Sequence, residues 1–530
     1  MTAPPVSCSV TSLVFGLRKA TAYGPLAGQV SGITQDSRQV RPGMAFVAIA
    51  GEHADGHDHL ASAVARGASL LVVQADRRSR WESLLYEELT VLSVPDTREA
   101  LGRLAATFYD NPSKGLTVIG VTGTNGKTTT AFFIAGVILA ARPPVALLST
   151  AGTIVAGRFT PNQSHLTTPD AVSVHRFLAE ARAAGVRYAI VESTSHGLEQ
   201  GRLAEVDFQV AVLTNLTGDH LDYHGDRAAY LRAKARLFEQ LKPAGTAVLN
   251  GDEPAAVQVA ARTAGRRLYY GIDHPGEVFA DQLVSRGWQT SYRLHAAGRA
   301  TRVRLRLPGR FNVANSLAAA TTGVALGIDL AEIRRGLESV TKVPGRMERI
   351  AVPGGPAVVI DYAHNGHGLA EALTFLRTAT TGRLIAVFGA AGDRDPARRP
   401  ELARAAARLA DYAIVTSDDS WQEDPAAIAD EIARGFAGCG KRAGRDYAVE
   451  LDRRKAIELA LEAAGPADTV LLAGMGHERS MMTAGGPVPW DDRQVVHELL
   501  ATREPGVAEP RCAADPSCAA ATEPVPAANP

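Results

Sequence analysis

Short apolar runs followed by a polar or glycine-rich break and then a helix-period segment recur along most of the chain. Leu116–Thr122, Tyr188–Glu192, Val210–Asn215 and Ala247–Asn250 are such runs. That alternation predicts a parallel sheet covered by helices. It breaks at Pro344-Gly345 and restarts with Ala357–Asp361, Leu384–Gly389, Tyr412–Ser417 and Thr469–Ala473, between Ala/Arg/Glu-rich helices. The restart predicts a second, Rossmann-like doubly wound unit. Residues 1–112 carry shorter strands and helices, among them Arg66-Gly-Ala-Ser-Leu-Leu-Val-Val73. From Glu504 the chain is Pro/Ala-rich without period, the composition of a disordered tail. No internal repeat is visible. The expectation is an α/β chain in three domains, a small one over 1–112, a central sheet over 113–343 and a doubly wound unit over 344–503, with a tail over 504–530.

Composition narrows the function classes. A chain of 530 residues is long for one core. Its 56 Lys and Arg balance 56 Asp and Glu, so nothing draws the whole molecule to nucleic acid or an anionic membrane. The four cysteines, Cys8, Cys439, Cys512 and Cys518, form no CxxC pair, which argues against a zinc ribbon or disulfide scaffold and fits a reducing cytoplasm. No basic segment followed by an apolar core opens the chain, so no signal peptide is expected. The apolar stretch Ala131–Ala141 is too short to cross a bilayer and predicts a buried helix.

The chemistry concentrates at Gly123-Thr-Asn-Gly-Lys-Thr-Thr129, where a β-branched strand runs through a glycine-rich turn into a helix. Gly123, Thr124, Asn125 and Gly126 offer backbone N–H groups to an anion. Lys127 adds a point charge, and Thr128 and Thr129 open the helix, with a hydroxyl suited to Mg²⁺. Gly123 and Gly126 enclose only two residues, so the spacing is not the ordinary Walker A. The pattern predicts an ATP site on a P-loop ATPase-like central sheet. The tips of two further strands add polar groups where open α/β sheets bind ligands. One ends in Glu192-Ser-Thr-Ser-His196, the other in Thr214-Asn-Leu-Thr-Gly-Asp-His-Leu-Asp-Tyr-His224. If these strands flank the phosphate loop, Glu192 and His220 are candidates for a divalent-metal site beside the γ-phosphate. The alternative is a surface loop that happens to be rich in His and Asp. Asp222 and His224 fit no role and are compatible with solvated positions.

Further stretches point the same way: Asp36-Ser-Arg38 with Gly51-Glu-His-Ala-Asp-Gly56, Thr167-Thr-Pro-Asp170, and Ser195-His-Gly-Leu-Glu-Gln-Gly-Arg202. Together with the phosphate loop, over about residues 30 to 500, the chain resembles the Mur ligases, ATP-dependent amide-forming enzymes of peptidoglycan precursor synthesis. More narrowly it is similar to the MurE type, which adds the third residue to UDP-N-acetylmuramoyl-L-alanyl-D-glutamate. The resemblance implies that Ser37, Glu52, His53 and Ala54 contact the UDP-sugar, and that Thr167, Thr168, Ser195, Gln200 and Arg202 contact the muramoyl-dipeptide. It implies that Thr128 and Glu192 bind one Mg²⁺ and that His220 helps bind another. Lys234 matches a lysine that becomes carbamylated and then ligates metal; by pattern alone it would be an ordinary lysine on a helix surface. Asn312 and Asn315, otherwise readable as helix caps, match the adenine and ribose side. Arg346, at the hinge, would reach ATP phosphate, and Asp361 would hold the ribose with His364 close by. Arg394 would clamp the α-carboxylate of the incoming amino acid, a planar two-pronged contact. Asp418, Asp419, Gly474 and Glu478 would complete that pocket.

The implied reaction passes through an acyl phosphate on the D-glutamyl γ-carboxylate, which the amine of the third amino acid attacks. The substrates are small molecules, and a cytoplasmic monomer is expected. One departure bears on specificity. Relatives that take meso-diaminopimelate carry Asp-Asn-Pro-Arg where this chain has Asp418-Asp-Ser-Trp421. Without that arginine the distal carboxylate has no counter-ion, and burying it unpaired costs several kcal/mol. Asp418 and Asp419 favour an amine-ended side chain, so lysine or ornithine is expected over diaminopimelate; Asp361-Tyr-Ala-His-Asn-Gly366 also resembles the lysine-adding branch. Met475 replaces a usual lysine. The rival readings are a folylpolyglutamate synthetase, disfavoured by the Asp-Ser-Arg segment, a paralogue acting on another carboxylate, and a decayed nucleotide-binding protein. Intact Lys127, Glu192, His220 and Lys234 speak against decay.

Overall fold

The computed structural model describes residues 7–501 apart from 18, 52, 53, 87, 165 and 218–220. The expectations for Glu52, His53, His220, Cys512, Cys518 and the 504–530 tail therefore lie outside the described residues.

Three α/β layers follow one another along the chain. The first is a five-stranded sheet in the order Thr21–Tyr23, Thr90–Val94, Leu70–Gln74, Ala45–Val47, Ile33–Thr34, parallel except for its first strand. Its helix Thr97–Phe108 starts at Asp96, whose carboxylate accepts the N–H groups of Arg98 and Glu99. That is a standard helix N-cap. The helix buries Leu101, Leu104 and Phe108 in a cluster that also takes Ala171, the first residue of helix Ala171–Ala183 in the next layer.

The central sheet has eleven strands. Val145–Ser149, Tyr188–Glu192, Thr117–Thr122, Phe208–Leu213, Leu241–Asn250, Arg266–Gly271 and Val278–Arg286 lie side by side and parallel. The expected parallel sheet is therefore present, but antiparallel strands extend it at both edges: Gly152–Val155 with Arg158–Pro161, and Gln289–Ala296 with Arg299–Leu305. The physical difference lies in burial. The central parallel strands Val145–Ser149, Tyr188–Glu192, Thr117–Thr122 and Phe208–Leu213 are buried almost throughout on both faces, whereas Arg302-Val-Arg-Leu305 alternates exposed and buried positions, as a sheet with one wet face does. The helix Lys127–Ala141 buries Phe133, Ile134, Val137 and Ile138 as its composition predicts. It packs so tightly on Leu330–Ser339 that a Cβ on Gly336 would lie 2.4 Å from the Val137 Cα. No helix among the described residues is long and apolar enough to cross a membrane.

The third layer orders its strands Glu348–Ile350, Ala357–Asp361, Thr469–Ala473, Leu384–Phe388, Tyr412–Val415, Tyr447–Val449, parallel except for the first. The hinge before it, Val343–Arg346, is pinned by Glu348. That carboxylate accepts the Gly345 N–H at 3.0 Å and pairs with Lys342 at 2.6 Å and Arg493 at 3.3 Å.

Candidate active site

Strand order brings the predicted residues together. Thr117–Thr122 lies between Tyr188–Glu192 and Phe208–Leu213, in registers that pair Val121 with Glu192 and Thr122 with Leu213. The loop leaving the middle strand needs its glycines. Gly123 sits at φ +148°, and a Cβ there would meet the Thr214 Oγ1 at 1.9 Å; at Gly126, φ +81°, it would meet the Asn315 Oδ1 at 2.3 Å. The neighbouring tip braces the loop. The Asn215 carbonyl accepts the Thr124 N–H at 2.9 Å, its side-chain oxygen accepts the Asn125 N–H at 2.9 Å, and Thr214 Oγ1 donates to the Asn125 carbonyl at 2.6 Å.

Two lysines converge on this loop. Lys127 Nζ donates to the carbonyls of Gly123 at 3.2 Å and Thr124 at 2.9 Å. Lys234 Nζ donates to the Gly123 carbonyl at 2.8 Å and lies 4.5 Å from the Tyr230 ring centre. With 2% exposure Lys234 is not the surface lysine that its helical pattern suggests. Glu192 is wholly buried, and its oxygens accept the Thr150 N–H at 3.2 Å and the Thr150 hydroxyl at 2.8 Å. Burial pushes this carboxyl above the ordinary carboxylate range, while Lys127, the Thr150 hydrogen bond, Arg346 and Thr128 pull it back. Arg346 comes from the hinge: its Nη2 donates to Thr128 Oγ1 at 3.1 Å, and its guanidinium lies 4.4 Å from the Tyr362 ring centre. Asn365 Nδ2 reaches the Asn125 side-chain oxygen at 3.4 Å, a second contact across the hinge.

Asn312 and Asn315 lie inside helix Arg310–Ala325, whose N-cap is Gly309, so neither is a cap. Asn315 donates to Asn312 at 3.0 Å and accepts from Thr130 at 3.3 Å. Asp361 reaches the same cavity, but its oxygens accept the N–H groups of Met347 at 2.7 Å and Ala363 at 2.9 Å. Holding the hinge is thus its visible task.

The enclosing cavity, about 820 Å³, runs from the phosphate loop to Arg394, Asp418, Asp419, Trp421, Gly474, Met475 and Glu478. At that far end Arg394 lies 5.9 Å from the Trp421 ring centre, and Tyr362 donates its hydroxyl to Glu478 at 3.0 Å. Asp418 is buried and pushed above the ordinary carboxylate range by that burial; Arg453 opposes the shift, and Glu478 and Asp492 add to it. Gly474 at φ +103° leaves room that a Cβ would fill, 2.1 Å from Asp418 Oδ2. Asp419 accepts the Met482 N–H at 2.7 Å. Nothing in the structure explains Met475.

A second cavity, about 890 Å³, lies against the first sheet and is lined by Ser37, Arg38, Ala54, His59 and Arg98. The two cavities share Leu166, Gln200 and Arg202. Gln200 Oε1 accepts from Arg202 at 2.6 and 3.1 Å, and Arg202 donates to the Thr168 carbonyl at 2.8 Å. Thr168 in turn donates to the Glu192 carbonyl at 2.7 Å, and the Thr150 and Thr167 hydroxyl oxygens lie 3.0 Å apart in a hydrogen bond.

Ser195 lies apart from the other residues expected beside it. It is 2% exposed and lines neither cavity, because it begins helix Ser195–Glu199; the hydroxyl at the cavity wall belongs to the N-cap Thr194. Sequence reasoning also missed Thr150, Asn215, His196 and Tyr223. Asn215 was visible as a polar residue at a strand tip, but no local signal marks Thr150. His196 packs on Tyr223 with its ring tilted by 34°, 4.2 Å between ring centres, and lines the cavity. Burial, followed by His224, Arg202, Arg394 and Lys234, brings it down to about 3, so it is neutral at physiological pH. His224 is not solvated: it is buried, and its Nδ1 lies 2.8 Å from Glu199.

Family models match all three layers: "Mur ligase family, catalytic domain" over 29–109, "Mur ligase middle domain" over 121–323, and "Mur ligase, glutamate ligase domain" over 345–476. A Geobacter metallireducens protein named UDP-N-acetylmuramoyl-L-alanyl-D-glutamate–2,6-diaminopimelate ligase is 39% identical over 497 residues, 91% of this chain and 96% of its own. The chain belongs to the Mur ligase family. As a Mur ligase it is an ATP-dependent ligase. A Roseiflexus protein named UDP-N-acetylmuramyl-tripeptide synthetase is also 39% identical, across 90% of this Mur ligase and 96% of its own chain. A solved UDP-N-acetylmuramoyl-L-alanyl-D-glutamate–2,6-diaminopimelate ligase matches at TM-score 0.59 and 31% identity, covering 89% of this chain and 95% of that one. MurF from Acinetobacter baumannii, at 22% identity and TM-score 0.66 over 94% of this chain and 100% of its own, shares the fold.

Proposed function

We propose that this Mur ligase joins the amine of a diamino acid to the D-glutamate γ-carboxylate of UDP-N-acetylmuramoyl-L-alanyl-D-glutamate, through an acyl phosphate made from ATP. The observation that carries this reading is the junction of the two cavities at Leu166, Gln200 and Arg202. A long substrate held by Ser37 and Ala54 would pass Arg202 and present a carboxylate near the phosphate loop. In this division of labour residues 1–112 hold the UDP-sugar, 113–343 hold ATP with Asn312 and Asn315, and 344–503 bring the amino acid. Lys127 and the loop amides offset charge on the transferred phosphoryl group, and Arg346 brings a further positive charge from the hinge, so catalysis rests on positioning and electrostatics.

The residues fit Mg²⁺. Thr128 offers a hydroxyl and Glu192 a buried carboxylate facing cationic groups, which is the hard-oxygen chemistry this ion takes with few protein ligands. Thr128 and Glu192 would hold one such ion and His220 would help hold another, with Lys234, as its carbamate, a further ligand beside the phosphates. When bound, the ion supplies positive charge beside the phosphates. Closure of Arg346 and Asn365 over the loop keeps water from the acyl phosphate.

At the amino-acid end, Arg394 would take the α-carboxylate, and Asp418, Asp419 and Glu478 favour an amine-ended side chain, lysine or ornithine. The names of the relatives favour diaminopimelate instead, whose distal carboxylate would need a counter-ion where this chain has Trp421. The test is ADP release with UDP-muramoyl-dipeptide across lysine, ornithine and diaminopimelate. Release with lysine or ornithine above diaminopimelate is expected. The reverse order overturns the specificity, and no release with any of the three overturns the substrate assignment.

A further inference from the structure

The antiparallel extension of the central sheet ends in a hairpin that no part of the reaction above uses. Strands Val278–Arg286 and Gln289–Ala296 pair Arg286 with Gln289, leaving a two-residue turn of Gly287, at φ +54°, and Trp288. An indole at a hairpin tip exposes a large apolar surface unless something receives it. Here the C-terminal layer receives it. Trp288 meets Phe375 edge to face, ring centres 5.7 Å apart at 71°, and the Arg349 guanidinium lies 5.0 Å from its ring centre. Trp288 and Phe311, both from the central layer, pack against the C-terminal layer's own apolar cluster.

Phe375 sits on helix Gly366–Ala379, where Gly368, Ala372 and Phe375 follow at helical spacing on one face. Gly368, Glu371 and Ala372 line the same cavity as Phe311 and Asn312. The stripe that walls the nucleotide side of the cavity therefore continues beneath the indole. Hinge Val343–Arg346 is one covalent attachment between the layers and by itself permits rotation. Besides Arg346 on Thr128 and Asn365 on Asn125, the hairpin adds an apolar attachment on a different element, which restricts that freedom.

We propose that Trp288 is a positioning residue: its clasp on Phe375 and Arg349 sets the width of the slit between Phe311 and the Gly368–Ala372 face, and so the affinity for adenine nucleotide. The inference rests on the ATP reading above. It is tested by calorimetric titration of the full-length chain with MgADP and, separately, with UDP-muramoyl-dipeptide. Losing an aromatic pair and a cation–π contact together corresponds to about a tenfold weakening of ADP binding in Trp288→Ala. Trp288→Phe is expected within about twofold of wild type, since it keeps the edge-to-face pair. UDP-muramoyl-dipeptide affinity is expected to stay constant in both. Arg349 is exposed, so Arg349→Gln carries the test if the alanine variant does not fold, with about a threefold loss for ADP. ADP affinity equal to wild type in Trp288→Ala or, failing that variant, in Arg349→Gln overturns the clasp while leaving the ATP reading intact. An equal fall for both ligands also overturns it, since that marks a general loss of structure. A wild-type chain that binds no ADP overturns the ATP reading, and the clasp with it.

Discussion

The two ends of the catalytic cavity each bury a carboxylate, and they balance it differently. Glu192, at the phosphate end, is offset by Lys127 and Arg346, which themselves face the cavity. Asp418, at the amino-acid end, is offset by Arg453, which is buried and tied to Asp492 at 2.8 Å and to the Ala473 carbonyl at 3.0 Å. At one end the counter-charges line the cavity themselves, where the proposed nucleotide would meet them. At the other the counter-charge is a fixed part of the core, and the polar groups left for a ligand are those around it. On the proposed function, the phosphate end would then be an electrostatic site whose balance shifts on binding, and the amino-acid end a shaped one.

Lys127→Ala tests the comparison most severely. It removes a charge from the reacting end, and turnover is expected to fall about 10³-fold or more in an ADP-release assay. Substantial residual activity would remove the phosphate role. Arg453→Ala should act on stability instead, because it leaves Asp418 and Asp492 buried without their cation; a loss of about 3–5 kcal/mol in urea unfolding is expected. A variant as stable as wild type would show that the amino-acid end is not built on a fixed counter-ion.

Trp421→Arg sharpens the shaped end. A counter-ion placed there is expected to raise use of diaminopimelate relative to lysine by about tenfold, measured as the ratio of kcat/KM. An unchanged ratio would undercut the specificity argument.

The smallest effect concerns pH. The Glu192 carboxyl holds its proton more tightly folded than unfolded, so its ionised form costs stability. That cost starts as pH rises above the ordinary value of 4.5 and grows until the folded group ionises. Glu192→Gln removes it. The ligand-free variant is expected to melt about 2 °C or more above wild type at pH 7.5, with the gap closing toward pH 4.5. A variant that melts lower at neutral pH would mean that Lys127 and Arg346 already outweigh the burial.

Much of this was legible because it is local. The phosphate loop, its glycines, the polar strand tips and the restart after Pro344-Gly345 are patterns within a few residues. The buried state of Lys234 was not, since the helix Arg227–Glu239 reads as polar and only its packing under the loop covers that face. That the Thr194 hydroxyl faces the cavity was not legible either, because two adjacent hydroxyls look alike until the helix start sets their directions. The antiparallel edges were absent from the expected parallel sheet because its βα alternation was extended past the strands that carry it.

Periodicity and turn chemistry determined the α/β layers, the anion-binding loop and the residue types gathered around it, since each depends on neighbours in the chain. Tertiary structure alone decided that Arg346 reaches Thr128, that the two cavities meet at Arg202, and that Trp288 lands on Phe375. Those pairings join segments distant in sequence. Their geometry follows from how whole layers pack, which no local pattern encodes.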